Sequence, residues 1–210
     1  MPPKQPTHTR QAELVAAALA LAAERSPAEV TTGALAQAVG ITQGAVFRHF
    51  ESKEAIWLAV IDFAHQELLA RLHAAAAVQT QPLAALRAVF MAHVDFVVEQ
   101  PGVPRVIFQE LQHPEDTPLK ARVRRLMQDY RSLITGLLQQ ALAARQLAPD
   151  TDLQAAAVLF IGSVQGLVMQ SLLSGQVGAI RTLAPAVFDL FQHAVAAPTN
   201  PTRRPPETTE

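Results

Sequence analysis

The sequence predicts an all-α protein, and three observations favour that fold class. Half of the 210 residues are apolar, and Ala and Leu outnumber the β-branched and aromatic residues that strands prefer. Apolar residues recur at the spacing of one helix face through most of the chain. Proline, glycine and capping residues divide that pattern into segments of helical length, so a small domain followed by a larger one is expected.

The first predicted helix covers residues 10–25. Leu14, Ala18 and Leu21 recur on one face of this segment, and Pro27 ends it. This helix is long enough to supply one wall of a small N-terminal core.

Two short helical segments follow, joined by a tight turn. Thr31 or Thr32 can cap the first segment, and Gly40 permits the positive φ that a tight turn needs. Thr42 can cap the second segment, which is expected over 43–50. Because isolated helices this short are marginal in water, tertiary packing must hold them.

Longer helices fill the rest of the chain. One is predicted to start after Ser52, whose hydroxyl can cap it, and to run through Leu72. Thr151 to Gln154 matches a capping box, and Pro185 predicts either a kink in the last helix or a start near Ala184. The remaining helices are expected over 82–99, 101–112, 118–146, 151–175 and 179–196.

The composition argues against several classes of protein. The absence of Cys removes disulfide frameworks, thiolate nucleophiles and Cys-containing zinc sites. No two of the seven His residues lie four positions apart, and the chain has no nucleophile–base pattern or phosphate-binding glycine loop. We expect no metal, no cofactor and no enzyme activity. A helical hydrolase or lyase that uses His93 or His113 is the distant alternative.

Charge and hydropathy bear on location and partners. No stretch reaches the ~18 uninterrupted apolar residues of a membrane span, so a soluble, cytoplasmic protein without a signal peptide is expected. The net charge is −1, and the first 55 residues hold five basic and five acidic side chains. Residues 30–50 contain no acidic side chain, which permits a nucleic-acid partner without demanding one.

The two short segments meet the restrictions of a helix-turn-helix. A small residue, Ala36, lies where the two helices must approach, and Gly40 makes the turn. The apolar residues expected to face the core are Leu35, Val39, Ile41 and Val46, with Phe50 at the end.

The outward residues of the second segment suit a major groove. Gln43 can pair with adenine, Ala45 can touch a thymine methyl, and Arg48 can reach guanine or phosphate. Thr42 and His49 can donate to phosphates. The alternative is a solvated helix face. The full outward set is Thr42, Gln43, Gly44, Ala45, Phe47, Arg48 and His49.

This region resembles the N-terminal signature of the TetR/AcrR regulators. The resemblance rests on Thr31-Thr32-Gly33-Ala34-Leu35-Ala36, Gly40-Ile41-Thr42-Gln43-Gly44-Ala45-Val46-Phe47-Arg48-His49-Phe50 and Ser52-Lys53-Glu54-Ala55. It implies a three-helix helix-turn-helix DNA-binding domain over 10–55 and a larger helical ligand-binding and dimerisation domain over 56–197. A flexible arm over 1–9 and a disordered tail over 198–210 complete the expected organisation.

The resemblance also implies roles for individual residues. Thr32 and Lys53 would anchor phosphates at two helix N-termini, where backbone N–H groups favour anions. Two positions depart from the pattern: Phe47 stands where the family usually has Tyr, and Gln43 stands where a basic residue is common. A phenolic hydrogen bond to phosphate is therefore missing.

A dimer interface is expected on the last two helices. Gly162 and Gly166 share one apolar face and lack side chains that would block a neighbouring helix. By the resemblance, these helices pair with their copies in a second subunit; packing within one chain is the alternative. The predicted interface residues are Leu159, Gly162, Gly166, Leu173, Phe188 and Phe191.

The resemblance further implies a small-molecule pocket in the second domain. Polar residues that interrupt apolar helices are the best candidates because a buried polar group needs a partner, although a core or surface role is the alternative for each. A basic stretch over 120–131 could attract an anionic effector such as an acyl-carrier thioester, or form a solvated face. The predicted pocket residues are His93, Phe96, Phe108, Gln109, Gln112, Tyr130, Gln165 and Met169.

The expected function is DNA-binding transcription regulation. A homodimeric repressor would bind a palindromic operator and be released by a small hydrophobic or amphipathic effector. The alternative is a dimeric, DNA-bound helical interaction protein without a small-molecule effector.

Overall fold

The computed structural model describes residues 7–197, and the predictions for residues 1–6 and 198–210 lie outside the described residues. Within 7–197 the chain forms nine α-helices and no β-strand, so the all-α prediction is confirmed. The helices are α1 (Thr7–Glu24), α2 (Thr32–Val39), α3 (Gln43–Val46), α4 (Lys53–Ala77), α5 (Pro82–Glu99), α6 (Gly102–Glu110), α7 (Pro118–Ala143), α8 (Leu153–Ser174) and α9 (Ile180–Val195).

Several helix ends differ from the predicted ones: α1 begins at Thr7 rather than residue 10, so residues 7–9 of the expected arm are helical, and α7 ends at Ala143 rather than residue 146. Helix α3 ends at Val46 rather than Phe50, because the chain tightens into i→i−3 hydrogen bonds such as His49 N–H to Val46 C=O at 2.9 Å. Helix α8 is capped by Asp152, not Thr151. The Asp152 carboxylate accepts from the backbone amides of Gln154 and Ala155, and a negative charge is favoured at the N-terminus of a helix. Helix α9 begins at Ile180 and contains Pro185.

The helices pack around one continuous core. Helix α1 packs on α2, α4 and α6, while α4 packs on α5 and α7, so α4 and α6 both join the N-terminal helices to the rest. A cluster of edge-to-face phenyl rings lies where α5, α8 and α9 meet, with Phe90 and Phe191 each less than 5.5 Å from Phe160 between ring centroids. Phe188 belongs to the same cluster.

Helix α8 is long and apolar enough to cross a membrane by length and composition alone, and no other described helix is. Its inner residues, such as Phe160 and Val164, are buried against the neighbouring helices of its own domain. This is the behaviour of a core helix that carries a second, exposed apolar face.

Candidate nucleic-acid interface and apolar cavity

The helix-turn-helix is built by local capping. The hydroxyl of Thr31 caps α2 by accepting from the Ala34 amide at 3.1 Å, and Thr42 caps α3 by accepting from the Ala45 amide at 3.3 Å. Between them Gly40 has φ +71° and ψ 36°, a left-handed conformation that favours glycine. The predicted turn is confirmed.

The inner face of this unit is also as predicted. Leu35, Ala36 and Val46 are buried, and Phe50 is 9% exposed. Val39 and Ile41 are partly buried and pack on the same core. The short helices therefore have a fixed orientation that points the opposite side of α3 outward.

The outward face is accessible to a ligand. Thr42, Gln43, Gly44 and Arg48 are exposed, and Phe47 is 50% exposed. The remaining candidates for DNA contact are half-buried: Thr32, Ala45, His49 and Lys53. A half-exposed phenyl ring beside a guanidinium suits apolar contact with a base or sugar next to a phosphate contact.

Two of the predicted contacts are engaged within the protein. Gln43 Nε2 donates to Thr32 Oγ1 at 2.8 Å, and Lys53 Nζ donates to the Ala28 carbonyl at 3.0 Å. Both bonds lie at the surface, where a hydrogen bond is worth about 0.5–1.5 kcal/mol net. DNA can therefore replace them at little cost.

His49 is less outward than its neighbours. Its carbonyl accepts from Gln11 Nε2 at 2.9 Å, and its ring Nδ1 is buried without a partner among the described residues. Gln11 thus ties α1 to the end of residues 42–49, the recognition segment. No sequence pattern pointed to Gln11, because the contact spans 38 positions.

The second domain contains a cavity of about 140 Å³ lined by α4 to α8. Its wall is apolar except for His93, Tyr130 and Gln165, and none of its lining residues is Asp, Glu, Lys or Arg. Of the predicted pocket residues, Phe96 and Phe108 line it as well. Helix α6 contributes Val103, Pro104 and Ile107, which sequence reasoning missed, and all three belong to ordinary apolar helix spacing.

Three predicted pocket residues lie outside the lining of this cavity. Gln109 follows Phe108 and is therefore rotated about 100° around α6, away from the cavity. Gln112 is exposed beyond the end of α6, where its Nε2 donates to the Phe108 carbonyl at 3.4 Å. Met169 is 42% exposed on the outer face of α8, while its neighbour Val168 lines the cavity.

Two of the three polar side chains of the cavity, those of His93 and Tyr130, are paired and neutral. His93 Nδ1 lies 2.9 Å from Tyr130 Oη, and the two rings meet edge to face with centroids 5.0 Å apart. Burial lowers the pKa of His93 from 6.5 to about 4 and raises the pKa of Tyr130 above its ordinary value. At neutral pH both side chains are uncharged.

Helix α6 connects the cavity to α1 and to the loop before α2. Gln109 Oε1 accepts from the Ala28 amide at 2.9 Å and from Ser26 Oγ at 3.3 Å, in the loop before α2. At the other end of α6, a Cβ on Gly102 would lie 2.2 Å from the carbonyl oxygen of Leu19 in α1. Helix α6 therefore sits directly against the N-terminal helices at both ends.

The outer faces of α8 and α9 carry an apolar stripe. Leu159, Gly162, Gly166 and Leu173 lie on it, and a Cβ at either glycine would meet nothing within 4 Å. Other large apolar side chains on this stripe are Val158, Met169, Leu183 and Leu190.

The placement of Phe188 and Phe191 in a dimer interface is wrong. Both are buried in the core of the protomer, with 0% and 2% of their area exposed, and so have no surface to offer a partner. Leu183 and Leu190, on the opposite side of α9, are 54% and 72% exposed instead.

These features define a helix-turn-helix unit that packs, through α1, α4 and α6, against an all-helical domain with an apolar cavity. Residues 14–60 match the family described as bacterial regulatory proteins, tetR family, and residues 82–187 match the tetracyclin repressor-like C-terminal domain. The chain belongs to the TetR family, and it is a DNA-binding transcription regulator rather than an enzyme.

Particular relatives and structures agree with this assignment. The chain is 30% identical over 138 residues to the nucleoid occlusion factor SlmA of Glaesserella parasuis, covering 65% of this chain and 68% of that protein. SlmA of Actinobacillus pleuropneumoniae serotype 5b is 29% identical over 140 residues, covering 66% and 69%.

Two solved structures share the fold. The ketosteroid regulator KstR2 of Mycobacterium tuberculosis has a TM-score of 0.75 and 20% identity, covering 90% of this chain and 96% of that one. FadR from Bacillus subtilis in complex with stearoyl-CoA has a TM-score of 0.75 and 17% identity, covering 86% and 96%. At these identities the likeness establishes the fold alone.

Proposed function

We propose that the protein is a homodimeric repressor that leaves a palindromic operator when a small hydrophobic or amphipathic molecule occupies the cavity beside His93 and Tyr130. The observation that carries the proposal is the position of α6. Its residues line the cavity on one side, and Gln109 and Gly102 contact the DNA-binding unit on the other.

The coupling follows from close packing. A molecule that widens the cavity pushes on Val103, Pro104 and Ile107, and α6 cannot move alone because Gly102 lies against the Leu19 carbonyl. The displacement reaches α1 and the loop before α2. The effector must bind the DNA-incompetent arrangement more tightly, since equal affinity for both arrangements would shift nothing.

The apolar stripe on α8 and α9 supports a homodimer. Exposed leucines and two bare glycine positions along adjacent helices suit close pairing with the same helices of a second copy. A two-fold dimer presents two recognition segments related by the same axis, so its operator is palindromic. We place the protein in the cytoplasm, where its operator would be.

The first test is selection of bound fragments from a random duplex pool at about 150 mM salt, which suppresses weak phosphate binding. Enrichment of a palindrome is expected, and the enriched duplex then serves as the probe in an anisotropy screen for compounds that release the protein. Absence of any enriched sequence would contradict operator reading.

The SlmA relatives favour a second candidate function, a DNA-bound interaction protein without an effector. Compounds that bind the protein, identified because they raise its melting temperature, can be used to distinguish the two candidate functions. If saturating amounts of such compounds leave affinity for the enriched duplex unchanged, the cavity does not control DNA binding and the second candidate is preferred.

A further inference from the structure

We propose that the effector is a small, uncharged alcohol, phenol or carbonyl compound whose one polar oxygen bonds to the free ring nitrogen of His93 or to the Tyr130 hydroxyl while its apolar body fills the rest of the cavity. This inference rests on the proposed function, because it takes the cavity to be the effector site. Separate observations limit the size of the effector, its charge and the hydrogen-bonding groups that it carries.

The volume limits the size of the effector. A cavity of about 140 Å³ is close to the ~150 Å³ of an engineered apolar cavity that holds benzene. The cavity as it stands therefore accepts a body of roughly six to ten non-hydrogen atoms. A long acyl chain would require the surrounding helices to separate.

The wall excludes a charged effector. None of the lining residues is ionic, and an isolated carboxylate moved from water into such a wall loses its hydration without gaining a counter-ion. Burial keeps His93 neutral, so it supplies no positive charge at pH 7.

Three cations of the basic stretch on α7 are engaged within the protein, and no Lys or Arg of the stretch lines the cavity. Arg122 pairs with Asp62 of α4, and Arg124 pairs with Asp116. Lys120 Nζ donates to the His113 carbonyl at 2.8 Å. These cations are occupied within the protein, and none of them lines the cavity.

The buried pair selects a neutral oxygen. Tyr130 Oη engages Nδ1 of His93, while Nε2 has no hydrogen-bond partner among the described residues. If Tyr130 donates to Nδ1, then Nε2 carries a hydrogen and can donate; if Nδ1 donates, then Nε2 accepts and the Tyr130 hydroxyl can donate. In either tautomer the pair retains one donor and one acceptor, so it can donate to a carbonyl oxygen and can either donate to or accept from a hydroxyl.

Three probes of similar size test the inference on the full chain by calorimetric titration at pH 7: benzyl alcohol, toluene and benzoate. Benzyl alcohol is expected to bind about three- to tenfold more tightly than toluene, the effect of one neutral hydrogen bond. It should bind at least about tenfold more tightly than benzoate, since the carboxylate would be buried without a counter-ion. Equal or tighter binding of benzoate, equal binding of toluene, or no binding of any probe would overturn the inference.

A double variant, His93→Phe with Tyr130→Phe, tests whether these two side chains cause the preference for benzyl alcohol over toluene. Replacing both hydrogen-bonded partners by apolar rings of similar shape is close to neutral for folding. The variant should bind toluene as well as the original chain does and lose its preference for benzyl alcohol. The control is Gln112→Leu, an exposed residue outside the cavity lining, which should keep the preference. A preference retained by the double variant contradicts the assignment.

Operator release is measured separately and distinguishes the two failures. If benzyl alcohol binds with the expected preference but leaves operator affinity unchanged, the proposed function fails while the chemistry of the cavity stands. If a charged compound releases the operator and the neutral probes do not bind, the proposed function stands and this inference fails.

Discussion

Arg48 and Gln43, two side chains of the recognition segment, differ in their hydrogen bonding in the absence of DNA. Arg48 is exposed, whereas the amide of Gln43 is bonded to Thr32. A base contact by Gln43 must first replace that bond, so part of its gain is offset. We therefore expect Arg48 to contribute more to net operator affinity than Gln43.

We predict that Arg48→Ala weakens binding to the enriched duplex by about 1–3 kcal/mol if the contact is bidentate, with little change on random duplex. Anisotropy titrations on both duplexes measure this. Lys53→Ala is the comparison, and it should weaken both duplexes alike and lower the salt dependence by about one phosphate contact. Equal losses for Arg48→Ala on both duplexes would remove its base-reading role.

His93 makes folding stability depend on pH. Its pKa is about 4 in the folded chain and about 6.5 when unfolded, so between these values the unfolded chain binds more protons. Stability from this group is present above pH 6.5 and is lost as pH falls towards 4.

We predict that the free energy of unfolding falls by about 3 kcal/mol more between pH 7 and pH 4 in the original chain than in the double variant His93→Phe, Tyr130→Phe. Urea unfolding at several pH values measures the difference, and the carboxylates common to both chains cancel. Parallel pH profiles would mean that His93 titrates normally.

At the scale of elements, α6 is the helix that belongs to both functions. One face lines the cavity, and Gln109 on another face holds the Ala28 amide. Gln112 follows three residues later but bonds only to its own helix. Substitution of Gln109 therefore tests the contact between α6 and the loop before α2, and the same substitution at Gln112 is the matched control.

We predict that Gln109→Ala reduces the change in operator affinity caused by a cavity ligand by about 0.5–2 kcal/mol, because the tie to the loop before α2 is lost. By linkage, the effect of operator on ligand affinity shrinks by the same factor. Anisotropy and calorimetry measure the two halves of this relation. Gln112→Ala should leave both unchanged, and an equal loss in the two variants would contradict a specific role for Gln109.

At the scale of the whole molecule, α8 has an inner face that fills the core and an outer face without a partner in the protomer. Leu173 on the outer face is 75% exposed, although a large apolar side chain gains by burial. Val78, after the end of α4, is 76% exposed and lies outside both α8 and α9. Substitutions at Leu173 and Val78 therefore distinguish the effect of a residue in the proposed dimer interface from the effect of an exposed apolar residue elsewhere.

We predict that Leu173→Glu weakens dimerisation at least about tenfold, because two like charges would face a buried apolar surface. Sedimentation equilibrium measures the dimer, and operator affinity should fall with it. The protomer should remain folded because the side chain is exposed, which circular dichroism checks. Val78→Glu should leave dimerisation unchanged; a dimer unaffected by Leu173→Glu would place the interface elsewhere.

Local chemistry let the sequence determine the helices and the DNA-reading unit. Thr42 and Ser52 cap helices, and Gly40 turns the chain, through hydrogen bonds and dihedral angles that involve only a few adjacent residues. The inner residues Leu35 and Val46 follow from the same short motif. Such features need no knowledge of distant neighbours, so they were predictable.

Only the tertiary structure decided which apolar face of a helix points inward. Helix α9 carries one stripe with Phe188 and a second with Leu190, and helical spacing alone cannot rank them. The stripe with Phe188 faces inward because the rings of Phe90 and Phe160 pack against the Phe188 ring. In the same way Phe108 lines the cavity and the next residue does not, because a rotation of about 100° around α6 has meaning only once its neighbours are in place.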